Sequence, residues 1–493
     1  MKRKILLLLT FAVYLVSAQN VNLSWFKNYG GTLYDNGKTV RKVPNNGYII
    51  CGNTESNNFD IINNHGDQDI FLMKLDENRN IVWQKSYGGS ARDGSDGSNS
   101  LQITSDGGYI FTGTTRSNDG DVIRPSSSFS SIWVVKVNSA GNIEWQKIIG
   151  TSNINFNASS VNVLNDGSVV VSGYYGSTAL LSKLNANGNL IWQKTFVGAN
   201  NDTNIYDTKV HNNGFILIGH DNFGSALSSK IRIINVDTNG NLIWNKNYVY
   251  PGADRNYSRA VIADPDGTFI ISGICGVYAG YSGVVAKLDA LGNVVWENAF
   301  TNPGWVQINS GIINQNNEYI FCGYISPTVF AYNAFYIARF NSNGTKTGEN
   351  IIRGNSTSII ENIIEEGNNE YVAVGGSPAS NLTSPFPLQI SGKGGFDIVL
   401  LKVTGIANLS THDVLPEKTE IKIYPNPASN IVQIKSKKSI IGVKVFSADG
   451  KLVMHKKAKD IQSIDISEIP SGVYSCEFMD ADQLKIYEKI IKK

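Results

Sequence analysis

The 493-residue chain contains only 4 cysteines, which rules out a disulfide scaffold. Cys51 and Cys322 fall at the same place in two internal repeats, Ile50-Cys51-Gly52 and Phe321-Cys322-Gly323, so they belong to different structural units and read as buried free thiols. The 43 basic and 41 acidic residues are scattered, and no basic stripe of the kind that nucleic-acid binding needs is present. There is no HExxH, no GxSxG, no phosphate-binding glycine loop and no CxxC. The histidines, His65, His211, His220, His412 and His455, are dispersed; His211 and His220 flank one strand, and two alone make no metal site. No catalytic residue is therefore assigned, and the expectation is a protein without enzymatic activity.

Long apolar runs are also missing, apart from Ile5 to Val16. That run is shorter than the roughly 20 residues a bilayer span needs. Lys2, Arg3 and Lys4 precede it and Ser17-Ala18 follows, the pattern of a signal peptide over 1–18 with cleavage between Ala18 and Gln19. The mature chain is expected to have no transmembrane segment and to be secreted or surface-attached.

What the chain does have is glycine, 48 residues of it, and a repeat. Seven glycine-ended strands recur, each behind a turn: Tyr48 to Gly52, Tyr109 to Gly113, Ser168 to Gly173, Phe215 to Gly219, Thr268 to Gly273, Tyr319 to Gly323 and Tyr371 to Gly375. Their terminal glycines are 61, 60, 46, 54, 50 and 52 residues apart, within and slightly above the spacing of propeller blades. Each is followed by an apolar strand, such as Phe71-Leu72-Met73-Lys74-Leu75, then by a turn and a tryptophan strand, such as Asn241-Leu242-Ile243-Trp244-Asn245-Lys246. Room remains for a fourth strand, for example Ser160-Val161-Asn162-Val163. The strands are apolar nearly throughout, as when both faces of a sheet are covered.

The tryptophan strand is degenerate in the sixth unit, where Gly348 replaces Trp, and missing from the seventh. An unmatched copy, Asn22-Leu23-Ser24-Trp25-Phe26-Lys27, stands at the mature N-terminus. A ring in which the first strand completes the last blade accounts for both. The expectation is an all-β, seven-bladed β-propeller of four-stranded blades over 19–404, with a linker at 405–419.

Residues 420–493 read as a second all-β domain. Alternating runs such as Ile431-Val432-Gln433-Ile434 flank turn signals, among them the hairpin dipeptide Asp449-Gly450. The order of Pro425-Asn426-Pro427, then Asp449-Gly450-Lys451, then Ser471-Gly472-Val473-Tyr474 resembles the type A C-terminal sorting domain of type IX secretion. The resemblance implies a small β-sandwich, a Gram-negative host, the type IX machinery as partner, and passage through the periplasm and outer membrane. The repeat region in turn resembles the diverse bacterial propellers often joined to type IX sorting tails.

In an up-and-down blade successive connections alternate between the faces of the ring. One face here receives short uniform turns and the other long, irregular loops, including 53–68, 114–130, 247–256, 324–334 and 376–395. Tyr174, Tyr175, Tyr248, Tyr250, Tyr281, Trp305, Tyr324 and Tyr332 are the candidate ligand-binding residues of that long-loop face, because rigid aromatics mixed with adaptable polar groups make recognition surfaces. Asp93, Asp96, Asp119 and Asp121 lie in glycine-rich loops and are weak candidates for Ca²⁺. The expected function is binding or adhesion to a glycan or protein. The alternative is a polysaccharide lyase or hydrolase, which paired carboxylates at the channel mouth would favour.

Overall fold

The computed structural model describes residues 23–406 and 421–493, less 96, 126–128, 151–152, 199–202, 223–228, 278–279, 301–304, 327–331, 355, 379–381, 385–391, 437, 448–450 and 481–484. The leader with Ala18 and Gln19, most of the linker, Asp96, Asp449 and Gly450 lie outside the described residues. The chain divides into two compact units, Met1–Asn408 and Leu409–Lys493.

The first unit is a seven-bladed β-propeller. Blade one runs outward in sequence order through Asp35–Lys42, Tyr48–Thr54, Asp69–Leu75 and Ile81–Tyr87. Blade two differs at its inner strand, which is split into Asp93–Gly94 and Leu101–Ile103, both paired with Tyr109–Thr115. Blade six gains a short outermost strand, Leu382–Ser384. Blade seven takes Ile359–Gly367, Glu370–Ser377 and Asp397–Thr404 from the end of the unit and Leu23–Tyr29 from its start. Trp25 pairs with Lys402 and Phe26 with Leu401, so the N-terminal strand closes the ring.

The second strand of each blade is buried because sheets cover both its faces; in Tyr48–Thr54 every residue is buried. Between neighbouring blades lie separate apolar layers, for example Ile50, Phe71, Val374 and Leu400 between blades seven and one, and Ile216, Ile233, Val261 and Ile271 between four and five. Each strand-ending glycine meets the backbone of the inner strand. A Cβ on Gly52 would stand 2.0 Å from the Asn36 carbonyl oxygen, and one on Gly273 would stand 1.9 Å from that of Tyr257. Only glycine allows that approach.

The repeated tryptophan ties each blade to the next. The Nε1 of Trp145, Trp244 and Trp296 donates to the carbonyls of Ala186, Ala290 and Ser342, each at 3.1 Å, in the next blade's turn. Lysines two residues further on donate across the same seam, Lys85 to Asn142 at 2.6 Å and Lys246 to Asn293 at 3.1 Å. Gly348 stands where a tryptophan would have no turn to cover. Blade seven has no hairpin there, since its third and outer strands come from opposite ends of the unit, and Asn350 donates to the Gly405 carbonyl instead at 3.1 Å. One difference from the sequence reading concerns the outer strands. Val82, Ile191, Ile243 and Val295 are exposed, because each is the extra residue of a β-bulge beside the tryptophan and is turned outward.

The second unit has two sheets, one of Ile421–Tyr424, Ile431–Ser436 and Ser463–Asp465, the other of Leu452–Lys457, Ile440–Phe446, Gly472–Asp480 and Lys485–Lys492. Val432, Val445, Ile464, Cys476 and Ile490 fill its core. Pro425 and Pro427 both follow cis peptide bonds. Between them the Asn426 side chain bonds the backbone of the last strand, donating to Lys489 O at 2.6 Å and accepting from Ile491 N at 2.8 Å. Tyr474 is buried and donates to the Pro470 carbonyl at 2.7 Å.

Candidate ligand-binding face

Three side chains at the junction of blades five and six form a ledge on the long-loop face. Trp305 opens the inner strand Trp305–Ile313 and is 42 % exposed. Its ring stacks on Tyr281 with centroids 4.7 Å apart and an interplanar angle of 27°. The Tyr281 hydroxyl in turn accepts from Arg255 Nη1 at 2.5 Å, and the hydrogen bond and charge of Arg255 hold the pair together. An exposed indole with its back face supported is rigid, apolar and accessible.

The other expected aromatics are dispersed. Tyr332 is exposed. Tyr324 is half-buried and donates to Gln307 Oε1 at 2.9 Å. Tyr175 packs on Phe156, centroids 4.6 Å apart, Tyr174 is half-buried beside it on the same strand, and Tyr250 packs against the layer between blades four and five. Tyr248 requires a correction. It is 6 % exposed, and its hydroxyl donates to Glu297 at 2.7 Å. It stands four residues after Trp244, the place held in other blades by Tyr29, Tyr87, Ile149, Phe196 and Phe300, all buried, so it is a repeated core position.

The loop aspartates are likewise occupied. Asp93 is buried and accepts from Gly89 N at 2.8 Å and Ser117 Oγ at 2.6 Å. Asp35 clamps the equivalent loop of blade one through Gly31 N at 2.7 Å and Ser56 Oγ at 2.8 Å. Asp119 accepts from Ser90 N at 2.8 Å, and Asp121 faces Gly88 N at 3.4 Å. Among the described residues, no group of three or more His, Cys, Asp or Glu side chains is placed to hold a metal ion. All four cysteines are free and buried; burial pushes the Cys51 thiol up to about 12.

Sequence reasoning missed the channel. In six blades the inner strand carries a β-bulge at the matching place, with extra residues Lys38, Ser159, Tyr206, Arg259, Asn309 and Glu361; blade seven has a second bulge, at Glu366. A bulge re-aims its side chain; five of these six, all but Ser159, line a cavity of about 200 Å³ on the axis toward the long-loop face. The signal was in the repeat. The bulged residue lies fourteen positions before Gly52, Gly173, Gly273, Gly323 and Gly375, and thirteen before Gly219, yet its chemistry changes in every blade. Toward the short-turn face a larger cavity of about 540 Å³ is lined by Arg41, Asp207 and Lys209 among others. Arg41 is spent there on Asn99, at 2.6 Å, and Asn362, at 3.1 Å.

Fold and tail together define an exported propeller. Residues 422–493 match the family described as the secretion system C-terminal sorting domain. This is a type IX sorting tail, and it sends the protein to the cell surface or the extracellular space. Among the described residues, no helix is long and apolar enough to cross a membrane. No curated protein matches the chain. Similar solved structures include the β-propeller domain of the Trilobed protease from Pyrococcus furiosus, at 10% identity, 73% of this chain, 97% of that one and a TM-score of 0.41. The extracellular domain of a putative hybrid two-component system from B. thetaiotaomicron is 9% identical over 96% of this chain and 60% of that one, with a TM-score of 0.39. An ulvan lyase of polysaccharide lyase family 25 is 10% identical over 79% and 99%, with a TM-score of 0.46. Likeness at this level carries nothing about ligand or activity.

Proposed function

We propose that this exported propeller is a binding or adhesion protein that holds a saccharide on its long-loop face. The observation that carries the reading is the Trp305 indole, part-exposed and backed by Tyr281, whose hydroxyl is held in turn by Arg255. An aromatic shelf of this kind gives a sugar ring an apolar contact, while neighbouring polar side chains fix its hydroxyls. Paired carboxylates at the channel mouth would have favoured a glycan-cleaving enzyme. The channel carboxylates are instead set against lysines, Glu361 with Lys38 at 2.6 Å and Asp207 with Lys209 at 3.6 Å. The sorting tail supports the reading by taking the face to where extracellular glycans are met. Screening the protein and its Trp305→Ala variant on an array of oligosaccharides tests it: binding that the variant loses supports the shelf, and an empty array refutes it.

A further inference from the structure

Among the described residues, the bulge ring leaves one cation without a hydrogen-bonding partner. Lys38 and Glu361 neutralise each other at 2.6 Å, and Asn36 also donates to Glu361 at 3.3 Å. Burial would raise the Glu361 carboxyl, but the charge and hydrogen bond of Lys38, with the hydrogen bond of Asn36 and the more distant charge of Arg259, outweigh it and hold the group below its ordinary value, so it stays anionic. The neutral members satisfy one another. Asn309 donates to the Ile360 carbonyl at 2.8 Å and accepts from Gln307 at 2.8 Å, and Gln307 also accepts from Tyr324 at 2.9 Å.

Arg259 is different. Its guanidinium lies 4.8 Å from the centroid of the Tyr206 ring, and that ring is itself stacked on His220 at 5.3 Å. Such a cation–π contact holds the guanidinium over the ring without using a donor. Among the described residues, Arg259 makes no hydrogen bond to another side chain or to backbone, and its buried Nε has no acceptor. A buried charged donor left unmade is costly, and here it faces a cavity with two cations and one carboxylate. The cavity thus carries one uncompensated positive charge and a planar fork suited to an oxyanion.

We infer that the channel mouth is an anion-reading subsite, in which Arg259 takes the carboxylate or sulfate group of an acidic saccharide whose neighbouring ring lies on Trp305. The inference rests on the saccharide reading of the long-loop face. Arg255 and Arg259 share the inner strand Arg255–Ala263, four residues or about 13 Å apart along it, so one oligosaccharide spans from ledge to channel. At about 200 Å³ the cavity is smaller than the roughly 300–1,000 Å³ of drug-sized sites, which fits it to one charged group rather than a whole chain.

The test is calorimetric titration of the full chain and of Arg259→Gln, Arg259→Lys and Trp305→Ala with tetragalacturonate, its neutral methyl ester, and sodium sulfate. Two or three charge-assisted hydrogen bonds predict a preference of about tenfold or more for the acid over the ester. Arg259→Gln should erase that preference, Arg259→Lys should keep part of it, and Trp305→Ala should weaken both saccharides while leaving the preference intact. Equal binding of acid and ester, with both weakened by Trp305→Ala, overturns the subsite and leaves the ledge. An acid preference lost in Arg259→Gln, with the affinities for acid and ester both unchanged in Trp305→Ala, keeps the subsite and refutes the ledge. Arg259-dependent binding of sulfate without either saccharide, or no binding at all, overturns the acidic saccharide as the ligand class.

Discussion

The guanidinium carbon of Arg79 sits 4.9 Å from the centre of the Trp25 ring, joining the turn of blade one to the strand that begins the described chain. In blades two to six the matching turn position is glycine; Gly141, Gly188, Gly240, Gly292 and Gly344 all have positive φ and lie against the preceding blade's tryptophan. Arg79 adopts the same left-handed conformation, at φ 66°, and covers its tryptophan with a cation. The closing seam therefore repeats the other seams with one change of chemistry.

Deleting residues 21–28 removes most of the outer strand of blade seven and bares the edge of Asp397–Thr404. Unpaired apolar edges aggregate. The deletion is expected to precipitate or melt far below the parent in a thermal scan. Trp25→Ala is milder, because the ring is only half-buried; it should cost about 2–3 kcal/mol, below the 3–5 of a fully buried tryptophan. Melting curves unchanged in both variants would contradict closure by the first strand.

Gly240 tests the repeated turn. It has φ 74°, and an added Cβ would stand 2.8 Å from the Trp192 ring and from Lys194. Gly240→Ala should cost about 1–3 kcal/mol from the left-handed backbone, with the crowding in addition. Denaturant unfolding measures it, and a neutral result would mean that the turn relaxes away from the tryptophan.

The fold was legible in the sequence because each blade repeats the same requirements: a glycine where the backbones touch, an apolar strand between two sheets, and a tryptophan over a turn. Even the exception at Gly348 marked the place where the ring is joined. The site was legible only in part. Trp305 stands out in the sequence as an aromatic outside the repeated glycine and tryptophan strands, whereas Tyr248 occupies a repeated core position, four residues after a tryptophan, that is visible only with the blades aligned. The bulge ring escaped because bulges leave no local signature. Lys38, Tyr206, Arg259 and Glu361 share a spacing but no chemistry, and a search for similarity passes over positions whose residues differ.

Acid should weaken one ion pair between the buried Lys287 and the exposed Asp266. Burial alone would raise Asp266, but hydrogen bonds from Lys287 and Thr268 bring it down to about 2. The unfolded value is near 3.9, so the contribution is complete above that pH and is lost as pH falls through about 2. Between pH 5 and 2 the melting temperature of the parent should fall more steeply than that of Asp266→Asn. Parallel curves would show that the contact with Lys287, at 2.8 Å, does not couple to folding.

Export should follow the tail. A chain ending at residue 406 keeps every blade, since the two units divide at Asn408 and Leu409. It should fold and remain inside the cell envelope, while the parent reaches the surface or medium, with a mature N-terminus at Gln19 and a cut within 405–419. Fractionation and mass spectrometry check this. Surface display of the truncated chain would contradict the sorting role of residues 422–493.

The central claim, that the long-loop face is a binding surface built on an independent scaffold, is tested most directly by measuring saccharide affinity and melting temperature together for Trp305→Ala. The indole is at the start of a strand and 42 % exposed, so its removal should shift the melting temperature by no more than a few degrees. Affinity for the saccharide that the parent binds should fall about tenfold or more, the loss expected of a stacked ring contact worth about 1.5 kcal/mol. A variant that melts much lower but binds as the parent does would make Trp305 a packing residue and contradict the account.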